Sequence, residues 1–391
     1  MGERQSSLET LVLSSSFWSG KRVLLTGHTG FKGSWLAMWL TSRGASVTGF
    51  ALPPPYEPSL FRTVDLASSI ESIEGDVRDL DALKRVVRSS KPQIVFHLAA
   101  QALVRASYES PVETYATNVM GTVHLLESVR QCEDTRAVVI VTSDKCYENR
   151  EWVWGYREED PMGGHDPYSN SKGCSELVTA AYSKSFFNGS PAASSARVAS
   201  ARAGNVIGGG DWAKDRLIPD IIEAFSQQSP VVIRSPKAVR PWQHVLEPLS
   251  GYVLLAEKLW EGGEDYTGGW NFGPSDADAR PVDWIVERLR TIWGDGASWK
   301  LDGKQHPHEA HLLKLDISKA RSLLRWRPRL ELGTALEWTA VWYREFLRDS
   351  GSARQMTERQ IADFERIGLT RDIEDESGAL SAVDETSRNL S

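Results

Sequence analysis

The chain has 391 residues, of which 41 % are hydrophobic and 25 % charged, a composition typical of a globular protein with a sizeable core. This length favours one large α/β unit that carries a smaller lobe. The net charge of −7 excludes nucleic acid and anionic membranes as expected partners. We find neither a membrane-span-like apolar stretch nor a signal-peptide layout, so we expect a cytoplasmic protein.

Residues 1–20 have no helical or strand period, and we expect a loose N-terminal extension there. From residue 21, apolar runs that predict strands alternate with helical spacing of apolar residues. The predicted strands are Val23–Leu25, Ala45–Phe50, a run before Gly75, Ile94–Leu98 and Ala137–Val141, and the helical segments include Leu80–Val87 and Val119–Val129. This alternation predicts a doubly wound parallel sheet, the Rossmann fold of the α/β class.

After about residue 200 the alternation becomes irregular. Short strand-like pieces at Val231–Arg234 and Trp270–Phe272 lie between helices and predict a smaller α/β lobe built from several returns of the chain. Residues 351–391 carry nine acidic and five basic side chains and few large apolar ones, which favours a solvated acidic tail. We therefore expect residues 21–204 to form mainly a dinucleotide-binding domain that carries the catalytic residues. Residues 205–350 are expected to form mainly a nucleotide-sugar-binding lobe, from which the chain crosses back to the sheet.

Cysteine and tryptophan usage bears on the class of protein. Three cysteines far apart give neither a disulfide framework nor a metal-binding pattern, so we expect reduced thiols. The fifteen tryptophans are expected in the core, although some can stack on a nucleotide base. The histidines show no metal-binding spacing, and a zinc site at His306, His308 and His311 is the weaker alternative.

A glycine-rich loop follows the first predicted strand and opens the first predicted helix. Gly27, Gly30 and Gly33 give the spacing G-x-x-G-x-x-G. The first glycine permits a tight turn, the second lets the backbone approach a pyrophosphate, and the third allows close packing of helix on strand. This context predicts a dinucleotide site at the helix N-terminus, with an ordinary glycine-rich turn as the alternative.

The residues that would select the dinucleotide give a mixed prediction. The second strand is followed by Leu52 and three prolines, with no acid to hold a ribose hydroxyl, so NAD and NADP both stay open at this point. Lys32 lies inside the loop and can meet a phosphate. Asp76 follows a third strand and can accept from an adenine amino group; the alternative is a helix N-cap, a role that Asp79 can also fill.

Tyr168 and Lys172 form Y-x-x-x-K, and Tyr168 alone among ten tyrosines has a lysine four residues later. On a helix this spacing places both side chains on one face. A lysine cation beside a phenol favours the phenolate, which can act as a base near neutral pH. Ser143 follows the strand Ala137–Val141, at the edge where such sheets bind ligands, and is expected to bind the same substrate oxygen as the phenol.

From Lys21 to about residue 348 the sequence resembles the extended short-chain dehydrogenase/reductases, and within them the bacterial CDP-glucose 4,6-dehydratases. The stretches that carry the resemblance begin at Thr26, Thr142, Asp166, Ala203 and Arg240, and read TGHTGFKGSW, TSDKCY, DPYSNSKG, AGNVIGGGDW and RPWQHV. The resemblance implies dehydration of CDP-glucose to CDP-4-dehydro-6-deoxyglucose with NAD as a recycled hydride carrier, in deoxysugar and lipopolysaccharide synthesis. It also implies a homodimer or a dimer of dimers.

The resemblance implies a role for each residue of the site. Tyr168 takes the proton of the sugar 4-hydroxyl with Lys172 and Ser143 beside it, Lys145 removes the C5 proton, and Asp144 protonates the departing C6 hydroxyl. In the related dTDP-glucose dehydratases an Asp-Glu pair stands where Asp144 and Lys145 stand here. The alternative for these two residues is a simple ion bridge. The implied cofactor contacts are Gly27, Gly30, Phe31, Lys32, Gly33, Asp76, Val77, Leu98, Ala99, Ala100, Asn118, Tyr168 and Lys172. The implied substrate contacts are Asn205, Arg216, Arg240 and His311.

Two other functions are compatible with parts of this pattern. A nucleotide-sugar 4-epimerase shares the glycine loop, the serine and the Tyr-Lys pair, but needs no acid and base for eliminating water, so Asp144 and Lys145 argue against it. A non-catalytic NAD-sensing scaffold would keep the fold alone, and the complete set of Ser143, Tyr168 and Lys172 argues against that.

Overall fold

The computed structural model describes residues 16–187, 196–294, 296–302 and 312–369. Its centre is a seven-stranded, wholly parallel sheet in the order β11-β6-β5-β4-β1-β2-β3. The strands are β1 Arg22–Thr26, β2 Ser46–Ala51, β3 Glu71–Glu74, β4 Ile94–His97, β5 Ala137–Val141, β6 Arg197–Arg202 and β11 Gly268–Asn271. The predicted doubly wound α/β fold is therefore confirmed.

Helices cover both faces of this sheet because its central strands are apolar on both sides. Val23 and Leu25 of β1 face one core, and Leu24 faces the other. The helices up to β6 are α1 Phe31–Ser42, α2 Leu60–Thr63, α3 Leu80–Ser90, α4 Val104–Glu109, α5 Pro111–Tyr115, α6 Gly121–Val129 and α7 Pro167–Phe186, with a π-helical stretch Ala116–Met120 between α5 and α6. Helices α3, α6 and α7 pack side by side on one face, and α1 packs on the other.

The smaller lobe contains three two-stranded sheets, β7 with β10, β8 with β13 and β9 with β12. Their bounds are β7 Val206–Ile207, β8 Val231–Ile233, β9 Val239–Pro241, β10 Gln243–His244, β12 Ala279–Pro281 and β13 Trp299–Leu301. The later helices are α8 Leu217–Ser226, α9 Leu246–Glu261, α10 Val282–Trp293, α11 Ser318–Leu323 and α12 Leu332–Arg348. The strand-like piece predicted at Trp270–Phe272 belongs to β11, which is where the chain returns to the main sheet.

Two expectations about the ends of the chain are wrong where the structure describes them. Trp18, expected in a loose extension, is fully buried and donates from its indole nitrogen to Glu257 at 2.5 Å. Residues 353–369, expected in a solvated tail, form a helix, α13, whose Phe364 is fully buried. Trp39 of α1 donates to Glu365 of this helix at 2.6 Å, so α13 is part of the folded unit. The remaining residues of both segments, 1–15 and 370–391, lie outside the described residues.

No helix within the described ranges combines the length and the apolar character that crossing a membrane requires.

Candidate active site

The glycine-rich loop joins β1 to α1 and is shaped by close backbone contacts. A Cβ at Gly33 would lie 2.1 Å from the carbonyl oxygen of Gly27, and a Cβ at Gly27 would lie 2.6 Å from the backbone nitrogen of Ala99. Gly30 caps the helix without a side chain, and the first turn of α1 holds no acid. The backbone N–H groups of that turn therefore face a space that suits a dinucleotide pyrophosphate.

The cavity beside this loop has a volume of about 1610 Å³ and extends from the loop to the smaller lobe. Most of the predicted cofactor residues line it: Gly27, Gly30, Phe31, Lys32, Gly33, Asp76, Val77, Leu98, Ala99, Ala100, Tyr168 and Lys172. Asn118 does not. Its buried amide accepts from the Gln101 backbone N–H at 2.8 Å and donates to the Ser171 hydroxyl at 2.8 Å, so it holds the loop after β4 against α7.

Lys32 reaches into the cavity, and in this structure its ammonium lies 3.3 Å from the Tyr252 hydroxyl. Burial lowers the pKa of Lys32 to about 7, with further lowering by the cations Lys172 and Arg216 and an opposing effect of Asp144. Three cations thus face one buried space. Such a space favours an anionic ligand, because a phosphate would restore the charge of Lys32.

Two acids follow β3, Asp76 and Asp79, and the sequence left open which of them caps the next helix and which faces the dinucleotide. Asp79 caps α3 by accepting from the Ala82 backbone N–H at 2.9 Å. Asp76 lines the cavity and forms an ion pair with Arg78 at 2.5 Å; hydrogen bonds from Arg78 hold the Asp76 pKa below its ordinary value. Asp76 is therefore an ionised acceptor at the cavity edge.

Sequence reasoning missed His28, which lies under the loop. Its Nε2 is 2.7 Å from the Ser72 hydroxyl, and burial lowers the pKa of His28 to about 4. A Cβ at Gly49 would lie 2.4 Å from the imidazole ring, so a glycine in the middle of β2 is what makes room for it. That glycine, in a strand otherwise made of larger residues, was the available signal.

The strand-end turn, residues 142–147, places the predicted acid and base at the cavity wall. Ser143 donates from its hydroxyl to one oxygen of Asp144 at 2.9 Å, and its hydroxyl accepts from the Lys145 backbone N–H at 3.3 Å. The second Asp144 oxygen, Oδ2, is buried with no hydrogen-bond partner. A Cβ at Gly204 would lie 1.9 Å from this oxygen, so only glycine fits there.

The simple ion bridge between Asp144 and Lys145 does not form. No ion pair among the described residues joins the two side chains, although both line the cavity. The backbone hydrogen bond from Lys145 fixes the turn without engaging the Lys145 amine.

Tyr168 and Lys172 lie one turn apart on α7, and both are buried at the cavity. The Lys172 ammonium donates to the Val141 carbonyl at 3.2 Å. Burial raises the pKa of Tyr168 to about 12, which a hydrogen bond with Ser143 partly opposes, and burial lowers the pKa of Lys172 to about 8. The expected lowering of the phenol's pKa by Lys172 is absent in this structure, because Lys172 points to the strand backbone.

The lobe supplies the opposite wall of the cavity. Asn205, which has a left-handed backbone with φ of 45°, lines it together with Arg216 and Arg240. Arg216 is held by Asp211 at 2.9 Å, an acid that sequence reasoning did not single out. His311 and the alternative zinc residues lie outside the described residues. Within the described ranges, no cluster of side chains has the composition of a metal site.

Fold and site together define an extended short-chain dehydrogenase/reductase. Residues 24–339 match the family described as GDP-mannose 4,6 dehydratase, and the chain belongs to this family. A curated relative from Salmonella typhimurium strain LT2, named CDP-glucose 4,6-dehydratase, is 57 % identical over 356 residues, which are 90 % of this chain and 98 % of the relative.

Solved structures give the same fold. MoeE5 in complex with UDP-glucose and NAD is 25 % identical, with a TM-score of 0.69 over 84 % of this chain and all of that chain. The dTDP-glucose 4,6-dehydratase of Bacillus anthracis in complex with NAD is 20 % identical, with a TM-score of 0.69 over 83 % and 97 % of the two chains.

Proposed function

We propose that this chain is a hydro-lyase that uses NAD to dehydrate a nucleotide-linked hexose, converting CDP-glucose into CDP-4-dehydro-6-deoxyglucose and water. The observation that carries the proposal is the meeting of Ser143, Asp144, Lys145, Tyr168 and Lys172 on one wall of a cavity that also contains the glycine loop. The 57 % identical relative of that name supports the reaction and the substrate.

The residues present fit NAD. The N-terminus of α1 has no side-chain cap, and a Cβ at Gly27 or Gly33 would collide with neighbouring backbone atoms, so the tight turn that leads into this helix end requires glycine. Asp76 at the cavity edge supplies an acceptor for the adenosine half. No arginine or lysine follows β2 to bind a 2′-phosphate, which favours NAD over NADP. Bound NAD supplies an acceptor for the hydride of sugar C4 and a donor of that hydride to C6.

The chain's own side chains perform the proton transfers. Tyr168 takes the proton of the 4-hydroxyl, and Ser143 holds the same oxygen. The 4-ketone acidifies the C5 hydrogen, which Lys145 removes as a proton. Asp144 gives a proton to the C6 hydroxyl, which leaves as water, and Lys145 returns its proton to C5 when C6 takes up the hydride. Asp144 lines the cavity beside Lys145, and one of its oxygens, Oδ2, has no hydrogen-bond partner.

The lobe residues Asn205, Arg216 and Arg240 hold the nucleotide part of the substrate, with the guanidinium groups placed for the pyrophosphate. We extend the same role to His311 on the resemblance alone. The assignment places the sugar between the strand-end turn and the glycine loop.

The test is turnover of the purified protein with CDP-, dTDP-, GDP- and UDP-glucose, followed by the alkaline chromophore of 4-keto-6-deoxy sugars. We expect the chromophore with CDP-glucose and no net consumption of added NAD. An epimerised hexose without chromophore would instead identify a 4-epimerase, and no turnover with any of the four would support the scaffold.

We further propose a cytoplasmic homodimer, or a dimer of dimers. Apolar side chains are exposed along the helices from 104 to 129 and on α7, and these are Tyr108, Val112, Tyr115, Met120, Leu177 and Phe186. Pairing of this face with a second copy would cover them. Light scattering after size exclusion should give twice or four times the 43.5 kDa of the chain, and Leu177→Glu should lower that mass. A monomeric wild type would contradict the proposal.

A further inference from the structure

A buried ion pair lies directly behind the strand-end turn and outside the cavity. Glu176 of α7 and Arg202 of β6 approach to 2.8 Å, and their side chains are 4 % and 5 % exposed. Neither residue lines the cavity. Breaking a buried pair on one side is costly, and replacing both partners by apolar residues is often tolerated, so its retention calls for a role besides stability.

Glu176 binds the strand that carries the site. Its carboxylate accepts from the hydroxyl of Thr142, the residue before Ser143, and from the hydroxyl of Ser200 at 2.5 Å. The other partner extends the network, because Arg202 donates to the Tyr147 hydroxyl at 2.6 Å. Both ends of the strand-end turn are therefore tied to one buried pair.

Glu176 also lies one helical turn after Lys172 on α7, so the two side chains share a face. Besides burial, the groups that shift the pKa of Lys172 are Glu176 and the thiol of Cys146. Lys172 in turn lowers the pKa of Lys32, beside the glycine loop, and that of His97, in β4. Burial raises the pKa of Cys146 well above its ordinary value and keeps the thiol neutral. Among the described residues, Glu176 is thus the anion that acts on Lys172.

We propose that Glu176 is a positioning residue of this site: it keeps the buried ammonium of Lys172 charged and anchors the strand end that carries Ser143. The inference rests on the proposed roles of Lys172 and Ser143. It adds a residue that touches neither substrate nor cofactor and that acts through Lys172 and Ser143.

The sign of the effect follows from the charges. Burial lowers the pKa of Lys172 to about 8, and Glu176 opposes this lowering. Burial, the largest single effect, raises the pKa of Glu176, but the cation of Arg202 and the hydrogen bonds from Arg202, Ser200 and Thr142 together hold it below the ordinary value, so the carboxylate stays ionised. Removing the carboxylate should lower the titration midpoint of Lys172. Removing the cation of Arg202 should lower it too, because buried Glu176 then loses the charge that keeps it ionised, whereas Arg202→Lys, which keeps a cation there, should leave the midpoint unchanged.

The experiment measures Lys172 directly, without substrate or added cofactor. The wild type and Glu176→Gln are treated with trace acetic anhydride between pH 6 and 10, and the acetylated fraction of Lys172 is quantified by mass spectrometry against exposed Lys91. We expect the midpoint of Glu176→Gln to fall by about one pH unit or more. Glu176→Asp should restore it, and Glu247→Gln, which removes a buried acid elsewhere, should not move it.

Arg202→Lys separates charge from loss of structure. It loses the guanidinium contact with the Tyr147 hydroxyl but keeps a cation beside Glu176, so, unlike Glu176→Gln, it should not lower the Lys172 midpoint. Where Glu176→Gln does not fold, the double variant Glu176→Gln/Arg202→Met, which leaves no buried charge unpaired, should show the same fall. With CDP-glucose, the alkaline limb of the kcat/KM profile should move to lower pH in parallel.

The inference is overturned by an unchanged Lys172 midpoint in folded Glu176→Gln or in the double variant. A fall of equal size in Arg202→Lys overturns it too, because the charge is kept there and that result indicates disruption of structure. Acetylation does not depend on turnover, so a failure of the proposed dehydratase reaction leaves this result readable.

Discussion

Tyr168→Phe tests the proton transfer on which the proposed reaction begins. The substitution keeps the ring, which is 7 % exposed, and removes only the hydroxyl. The pKa of Tyr168 is about 12 in the protein alone, so about one phenol in ten thousand is ionised at pH 8. Four pH units correspond to about 5 kcal/mol, which the positive nicotinamide ring and a reoriented Lys172 must supply.

Phenylalanine has no hydroxyl that could take the proton of the sugar 4-hydroxyl. We therefore expect Tyr168→Phe to lower kcat by about 100- to 10,000-fold with little change in KM. The assay is the alkaline chromophore formed from CDP-glucose at saturating NAD. Tyr182→Phe on the same helix is the control and should keep wild-type turnover. If Tyr168→Phe stays within about threefold of the wild type, Tyr168 is not the base.

Three further predictions concern the loop, α13 and a buried histidine. Gly33→Ala places a Cβ 2.1 Å from a backbone oxygen, and NAD affinity by calorimetry should fall more than about tenfold, whereas Gly333→Ala, which meets no atom within 4 Å, should retain it. Phe364→Ala should cost about 3–5 kcal/mol in urea unfolding, and exposed Leu369→Ala less than about 1 kcal/mol; equal effects would contradict the packing of α13. Burial lowers the pKa of His97 from 6.5 to about 3. Between pH 6.5 and 3, His97 is therefore protonated in the unfolded chain but not in the folded one. The free energy of unfolding should fall by about 1.4 kcal/mol for each pH unit below 6.5. In urea unfolding at pH 7.5 and 5, His97→Asn should reduce that slope, and an unchanged slope would refute the account.

The parts of the molecule that could be predicted are those with a short-range signal. The strand Ala137–Val141 has the same bounds in the structure as in the prediction. The glycine loop and the Tyr-Lys spacing act within one turn or one helix, so the sequence alone locates them. Their chemical state could not be predicted, because the pKa of Tyr168 depends on burial by residues far away in the chain.

Helix α13 escaped prediction because its buried face is barely hydrophobic. Ala353, Thr357, Ile361 and Phe364 follow helical spacing, but two of the four are small or polar. Thr357 is buried because its hydroxyl accepts from the Trp342 indole at 3.0 Å, a contact that no local pattern reveals. The contacts of Asn118 with the Gln101 backbone and with Ser171 likewise join distant parts of the chain and have no local pattern.

The tryptophans on the lobe side hold the loop that precedes α8. The Trp35 indole of α1 donates to the Gly209 carbonyl at 2.9 Å, and a Cβ at Gly209 would lie 2.1 Å from the Trp342 ring. Trp212 in turn packs its ring 5.7 Å from that of Trp342. These contacts join the loop that carries Asn205 to the helix that begins at the glycine loop. The proposed reaction, which takes a hydride from C4 and returns it to C6 of one sugar, needs a fixed geometry between substrate and dinucleotide, and by joining these two loops the indoles would fix that geometry if the loops bind as proposed.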